Sequence, residues 1–379
     1  MRVLINAVSI KDGGSLVLLV RLLAAMLERD PSVEWQVVVH PAVAARLPRH
    51  ERVRTLTFDW AERTPAHLLY WYNIALPWLI RRLRPDVLFS QTNYLPDRPL
   101  ACPTLLLEQH AGHFSTTFKR LMESSLNGWP ARAAWRGKTR WVHRSVRSAT
   151  LLTVQTRALA TAIAEQAEVP LQRIRVIPHG PGLMEPVDTP RSWPGERTWR
   201  LGYVTKPGVQ KHFSVLFEAV ARLRATGRAL ALVLTLDESD PQAAALLAKA
   251  LALGIGDCID NCGNLPQGSV AEVYGTLDLF VFPSLSESFG FPMVEAMARG
   301  LPLLVADTPG NREVAGDAGL VFGADDASGL AEQIAGLMDD RAGYEARAWA
   351  ALARSHLFSW DTAAESTLAV LYDLARGKA

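Results

Sequence analysis

Residues 277–302 constrain the fold of this chain more than any other stretch. Leu279, Phe280, Val281 and Phe282 form a short apolar run, the pattern of a strand buried on both faces. Residues 284–290 are polar and end in a glycine, so they read as a loop. Pro292 then stands where proline suits the first turn of a helix, because the N–H it lacks has no intrahelical acceptor there. Strand, loop and helix in that order put the loop at the C-terminal edge of a parallel sheet, where open α/β folds bind ligands. Two carboxylates bracket the turn, Glu287 before the helix and Glu295 inside it.

The same alternation runs through the whole chain. Residues 2–7 read as a buried strand, 9–14 as a turn ending in Gly13-Gly14, 15–29 as a helix and 35–40 as the next strand. Further strands are predicted over 85–90, 104–107, 150–156 and 174–180, and residues 181–194, rich in proline and glycine, read as a linker. A second series starts at 199–204, with a loop to 210, a helix from Lys211, and strands over 229–236, 259–263, 303–306 and 319–322. The last helix opens at Ser359-Trp360-Asp361. At 379 residues the chain exceeds one ordinary core and fits two domains of roughly 150–200 residues. Two alternating series predict two doubly wound sheets.

Glu287, Phe289-Gly290-Phe291-Pro292 and Glu295 resemble the donor-site motif of retaining GT-B glycosyltransferases of the group 1, or family 4, type. That motif is two glutamates separated by seven residues with Phe-Gly-x-Pro between them, and Gly300-Leu301-Pro302 continues the likeness. The resemblance implies an α/β fold of the GT-B kind, two Rossmann-like domains with a cleft between them. Residues 1–185 would be the acceptor-side domain, 186–358 the donor domain, and 359–379 a helix crossing back to the first. It implies transfer of a sugar from a nucleotide-diphosphate sugar to a lipid-linked or polysaccharide acceptor, with retention, in bacterial surface polysaccharide or lipopolysaccharide assembly. Two other readings stand beside it: a nucleotide-sugar-binding scaffold without transfer activity, and a GT-B nucleotide-sugar epimerase. The epimerases do not carry the Phe-Gly-x-Pro pair.

The site residues follow from the resemblance. Glu287 would act at the transferred sugar, with Ser288 and Phe289 beside it, and Glu295 would accept hydrogen bonds from the ribose. Gly13, Gly14, Lys206, Lys211 and the N–H groups of Gly290 and Phe291 would hold the diphosphate. Glycines and a helix N-terminus suit phosphate because the backbone approaches closely and offers N–H groups and partial positive charge. The spacing at Gly13-Gly14 is not the dinucleotide fingerprint, which removes the main support for a nicotinamide cofactor. Asn264 and Leu265 match the loop that meets the base, and His110, with His113 second, matches the position of an active-site histidine. No Asp-x-Asp occurs, so no metal and no resident cofactor are expected, with lysines and N–H dipoles meeting the leaving-group charge. The residues around Tyr203-Val204-Thr205 and Lys211-His212-Phe213 resemble mannosyl- and rhamnosyl-transferring members, which narrowly favours GDP-mannose as donor.

Composition settles the remaining classes. A net charge of +2 gives no overall drive towards nucleic acid, and no nucleic-acid partner is expected. Cys102, Cys258 and Cys262 have no zinc-type spacing and fit a reduced, cytoplasmic setting. Residues 2–7 read as a strand and not a signal peptide. Residues 15–27 and 68–80 are apolar, but neither reaches the roughly 20 residues of a membrane span. Residues 118–148 are strongly basic, with Trp129, Trp135 and Trp141 interleaved. Arg136, Lys138 and Arg140 read either as a patch for an anionic membrane, at the inner face of the cell membrane, or an acceptor, or as a solvated helix face with inward tryptophans.

Overall fold

The computed structural model describes residues 1–377. Its contacts divide the chain into two compact units, one made of Met1–Lys119, Leu126–Gly180 and the segment from Ser359 onward, the other of Arg120–Ser125 and Pro181–Phe358.

Among the described residues the first unit holds a parallel sheet of β1 (Arg2–Ala7), β2 (Glu34–Val39), β3 (Val53–Thr57), β4 (Val87–Ser90), β5 (Thr104–Leu107), β6 (Leu151–Val154) and β7 (Ile174–Val176). Their spatial order is β3-β2-β1-β4-β5-β6-β7, the doubly wound order that reverses between β1 and β4. The central strands are almost wholly apolar and buried, as a sheet covered on both faces requires. β3 is an edge strand whose Arg54, Thr55 and Thr57 are exposed, so no apolar run announces it in the sequence. The first helix spans Gly13–Arg29, which places the two glycines inside its first turn and not in the turn before it.

The crevice where the strand order reverses is filled by the unit's own side chains. Asn6, at the end of β1, points its Nδ2 at Ser90 Oγ (3.1 Å), Thr92 Oγ1 (3.2 Å) and Tyr72 Oη (3.3 Å). Trp71 Nε1 donates to Asn6 Oδ1 at 3.3 Å, and the rings of Trp71 and Tyr72 are fully buried. A buried amide so nearly saturated is favourable only as a complete network. The helix Trp360–Ala375 packs against Gly13–Arg29, with Tyr372 Oη donating to Asp30 Oδ2 at 2.5 Å and Arg29 paired to Glu365 at 2.6 Å. His179 is buried against Trp360, rings stacked at 5.7 Å, and burial pushes its imidazole down to about 3.

The second unit repeats the plan with β8 (Trp199–Tyr203), β9 (Leu230–Leu234), β10 (Ile259–Asn261), β11 (Leu279–Phe282), β12 (Leu303–Ala306) and β13 (Gly319–Phe322), all parallel, in the order β10-β9-β8-β11-β12-β13. β8 and β11 meet at the reversal, Leu279 opposite Leu201 and Phe280 opposite Gly202. A Cβ on Gly202 would run into the Leu277 side chain, so glycine is needed there by crowding. Asp278, fully buried, is held by both guanidinium nitrogens of Arg197 and by the Arg200 N–H. Residues 181–194 are not a free linker. Val187 N–H donates to Ala298 O, Arg191 N–H to Gly300 O, and Met184 lies in the second core, so the second unit begins at Pro181 and not after residue 185.

Asn311 joins the loop after β11 to the end of β12. It is fully buried, and its Nδ2 donates to Ser284 O (2.9 Å) and Ala306 O (3.0 Å). Asn311→Ala strips Ser284 O of its donor, leaves Ala306 O with the Thr308 N–H alone, and should cost about 2 kcal/mol. Urea denaturation should show a lower midpoint with an unchanged slope; an unchanged midpoint would mean that water replaces the amide without loss.

Candidate active site

The loops at the reversal of the second sheet bring two opposite charges together. β8 leads into residues 204–212 and β11 into residues 283–290, so Lys211 and Glu287 arrive side by side although far apart in sequence. Lys211 Nζ lies 2.5 Å from Glu287 Oε1, with both side chains largely buried. Ser284 Oγ donates to the same carboxylate oxygen at 2.5 Å. The Lys211 ammonium also sits over the Phe282 ring, 5.8 Å from its centroid. The backbone is pinned as well. Tyr203 Oη donates to Lys211 O at 3.0 Å, and Leu285 N–H donates to Gln210 O at 2.9 Å. Burial first, and the Glu287 charge second, push the Tyr203 hydroxyl well above the usual phenol range, which keeps it a donor.

The helix Phe291–Ala298 starts at Gly290, whose φ of 78° and ψ of 61° lie in the left-handed region that favours glycine. A side chain there would also meet Met293 and Phe282. Gly290 and Phe291 thus stand at a helix N-terminus next to the loop that carries Glu287. Ser288 is partly exposed in that loop. Phe289 differs from the reading that set it at the sugar: its ring is 2% exposed and packs in the core against Phe291 and Phe358. An aromatic ring gains more from the core than from a polar ligand, so only its backbone remains for the site.

Glu295 lies one turn into the helix. Tyr274 Oη donates to its Oε2 at 2.9 Å, and Gly182, whose φ of 55° favours glycine, lies so close that a Cβ there would displace Glu295 Oε1. Burial raises this carboxyl to about 7, with the Tyr274 hydrogen bond pulling the other way. Lys206 is exposed and lies near Asp237, whose carboxyl is held low mainly by its Ser239 hydrogen bonds and least by the lysine. Asn264 is exposed with Nδ2 3.4 Å from Asp237 Oδ2, and Leu265 packs at the margin of the core. Lys206 and Asn264 therefore share one acidic neighbour, Asp237.

In the first unit, Gly13 and Gly14 open the helix after β1, while His110 and His113 follow β5. His113 is packed away: its ring stacks on Trp135 at 4.7 Å, its Nδ1 lies 3.1 Å from Thr139 Oγ1, and burial with neighbouring cations pushes it down to about 3. His110 is partly exposed, its ring edge-on to Phe118. Its N–H donates to Glu108 Oε1 at 2.9 Å. Glu108 is fully buried, and desolvation raises its carboxyl to about 8. The basic stretch is divided between two helices, Thr116–Ser125 and Trp129–Ser148. Arg136, Lys138 and Arg140 are exposed, and a recess of about 450 Å³ is lined by Gly128, Trp129, Arg132, Ala133, Arg136 and Arg140. Two of the three tryptophans turn inward, Trp135 onto His113 and Trp141 onto Tyr72 and Tyr94, and only Trp129 is strongly exposed.

Sequence reasoning missed Ser284, Asn311, Tyr274 and Glu108. The signal for Ser284 was its place three residues before Glu287; the others depend on partners distant in sequence.

Comparison with known proteins bears on both units. Residues 195–355 match the family described as glycosyl transferases group 1. The O-antigen chain mannosyltransferase B of Escherichia coli is 32% identical over 106 residues, 28% of each chain. The MMP alpha-(1->4)-mannosyltransferase of Mycolicibacterium hassiacum is 30% identical over 274 residues, 68% of this chain and 63% of that one. The chain thus spans less than two thirds of the length of these relatives. Among solved structures, sucrose-phosphate synthase from Thermosynechococcus elongatus superposes with a TM-score of 0.76 at 16% identity, covering 99% of both chains. Anabaena HepE in complex with UDP-glucose gives 0.72 at 18% identity, covering 98% of this chain and 100% of that one. Residues 195–355 are thus similar to group 1 glycosyl transferases, and the chain that carries them has the GT-B fold.

Proposed function

We propose that this chain transfers a hexose from a nucleoside-diphosphate sugar to a glycan or lipid-linked glycan acceptor, with retention and without a metal. The work would be assembly of bacterial surface polysaccharide at the cytoplasmic face of the membrane. The observation that carries this reading is the Lys211–Glu287 pair at the reversal of the second sheet, beside a helix N-terminus. The diphosphate leaving group gains negative charge as the sugar departs, and a fixed cation with helix N–H groups stabilises that charge. In this reading the phosphates draw Lys211 away from Glu287, and the freed carboxylate turns to the sugar hydroxyls or the cationic anomeric centre. Lys206, Gly290 and Phe291 assist at the diphosphate, Glu295 at the ribose, and the backbone of Asn264 and Leu265 at the base. In the first unit the resemblance names Gly13, Gly14 and His110, and the arginine-lined recess at Arg132, Arg136 and Arg140 suits an anionic group of the acceptor. The E. coli and M. hassiacum relatives are both mannosyltransferases by name, which supports a mannose donor, whereas the HepE structure holds UDP-glucose.

Lys211→Ala and Glu287→Ala should each lower kcat/KM by about 10²-fold or more with the right donor and acceptor. Full activity in both variants would remove the pair from the site, and nucleotide binding without any turnover in the wild type would favour a binding scaffold. The donor base can be read by thermal shift against UDP, GDP, dTDP and ADP sugars. The true donor at 100 times its Kd should stabilise by about 2.7 kcal/mol, and GDP-mannose should give the largest shift.

The raised Glu295 carboxyl makes a pH prediction. Ribose hydroxyls that donate to this group favour its ionised form, so nucleotide affinity should rise as the pH climbs through about 7. Calorimetric titrations at pH 6 and pH 8 should show tighter binding at pH 8 in the wild type. The terminal phosphate titrates nearby, so the decisive result is the part of the gain that disappears in Glu295→Gln. An identical pH dependence in that variant would sever Glu295 from the ribose.

A further inference from the structure

Residues 65–83 form one continuous helical segment in the first unit: Pro65–Tyr70, a wider-wound turn at Trp71–Ala75, and Leu76–Leu83. Its inner face is buried through Trp71, Tyr72, Leu76, Leu79 and Ile80. Its outer face is also apolar. Leu69 is 51% exposed, Tyr70 50%, Ile74 52% and Trp78 57%. Positions 70, 74 and 78 are four apart, which drifts around a regular helix of 3.6 residues per turn. The wider turn at Trp71–Ala75 takes up that drift and keeps the three side chains in line. Single exposed apolar residues need no explanation, but four on one face form a patch.

The charges around this patch have one sign. Residues 65–84 contain Arg81, Arg82 and Arg84 and no acidic residue. The guanidinium of Arg82 lies over the Trp78 ring, 5.3 Å from its centroid. The acids on either side are engaged: Asp59 with Arg63, Glu62 with Lys11 at 2.9 Å, and Asp86 with the Arg2 N–H at 2.6 Å.

We propose that the outer face of residues 65–83 is a membrane-contact surface that docks the protein on an anionic lipid bilayer. Tyr70, Ile74 and Trp78 would enter the headgroup region, where an indole finds both an apolar body and a polar rim, and Arg81, Arg82 and Arg84 would meet lipid phosphates. No helix among the described residues is long and apolar enough to cross a membrane, so the contact is interfacial. Four side chains about half exposed offer roughly 400 Å² of apolar surface. That is half of the roughly 800 Å² per partner that a stable protein dimer buries, whereas a bilayer adds electrostatic attraction to a small apolar footprint. This surface is separate from the Arg136, Lys138 and Arg140 patch, whose helix turns two of its three tryptophans inward, and it goes beyond the transfer reaction proposed above.

The test is co-sedimentation of the full chain with vesicles of phosphatidylcholine alone and of phosphatidylcholine with phosphatidylglycerol. Wild type should sediment with the anionic vesicles at low salt and remain soluble with the neutral ones. The exposed double substitution Ile74→Ser/Trp78→Ser should lower the partition at least tenfold. Arg81→Ser/Arg82→Ser should lower it about 30-fold at low salt, from the worth of two cations at an anionic surface. Arg136→Ser/Lys138→Ser/Arg140→Ser should leave most of the binding in place. Circular dichroism melts check that the variants stay folded, which exposed positions favour. Wild type left in the supernatant, or binding unchanged in the first two variants, overturns the proposal. So does a dimer in analytical ultracentrifugation that Ile74→Ser/Trp78→Ser dissolves, since that result assigns the face to a second copy.

Discussion

Everything at the second unit's ligand edge depends on β8 and β11 lying side by side. The two strands are separated by two full strand–helix excursions, yet their loops must meet within hydrogen-bonding distance for Lys211 to reach Glu287. Gly202 makes the approach possible by leaving room for Leu277, and Asp278 fixes the neighbouring backbone through Arg197 and Arg200. Above the strands, Gln210, Ser284 and Asn311 lace the two loops to each other and to β12. The charged pair is thus the visible end of a chain of packing and hydrogen bonds that starts in the sheet. Ion pairing in such a largely buried place is favourable only when the remaining groups are satisfied, and here Ser284 and the Phe282 ring do that work.

The two sheets share one strand order but treat their crevices differently. In the first, Asn6, Trp71, Tyr72, Ser90 and Thr92 close the reversal with an internal network. In the second, the same topological position is lined with ionisable side chains and a helix N-terminus. Topology alone offers both edges as ligand sites. Side-chain chemistry is what distinguishes them: the first edge is closed by neutral hydrogen-bonding groups, the second carries a cation beside a helix N-terminus.

The sequence carried the two-sheet plan because buried parallel strands are short apolar runs and their helices follow at regular intervals. Lys211, Glu287, Gly290 and Glu295 were singled out by resemblance to a known motif, and the fold brings Lys211 to Glu287. β3 escaped because an edge strand with Arg54 and Thr55 facing water has no such run. Asn311, Tyr274 and Glu108 escaped because each is defined by a partner far along the chain, and an isolated asparagine, tyrosine or glutamate has no periodic signature. The basic stretch shows the opposite error. Its arginines and tryptophans alternate in the sequence, but the helix sorts them by face and turns Trp135 and Trp141 inward, both partly buried. The outward aromatic face lies instead at residues 65–83, which include the apolar stretch 68–80 that is too short for a span.

The docking of Trp360–Ala375 on Gly13–Arg29 has a consequence for how the molecule is made. The second unit is almost one continuous stretch of chain, whereas the first is built from both ends of the sequence. A ribosome delivers residues in order, and domains generally fold as units as they emerge. The first unit is therefore complete only with chain from beyond the second: its opening helix is covered by Trp360–Ala375, in which Leu368, Leu371 and Leu374 are buried. Apart from Arg120–Ser125, the second unit draws on Pro181–Phe358 alone. A substitution on the inner face of Trp360–Ala375 thus acts on the unit that residues 2–180 begin, and not on the unit that precedes it in the chain.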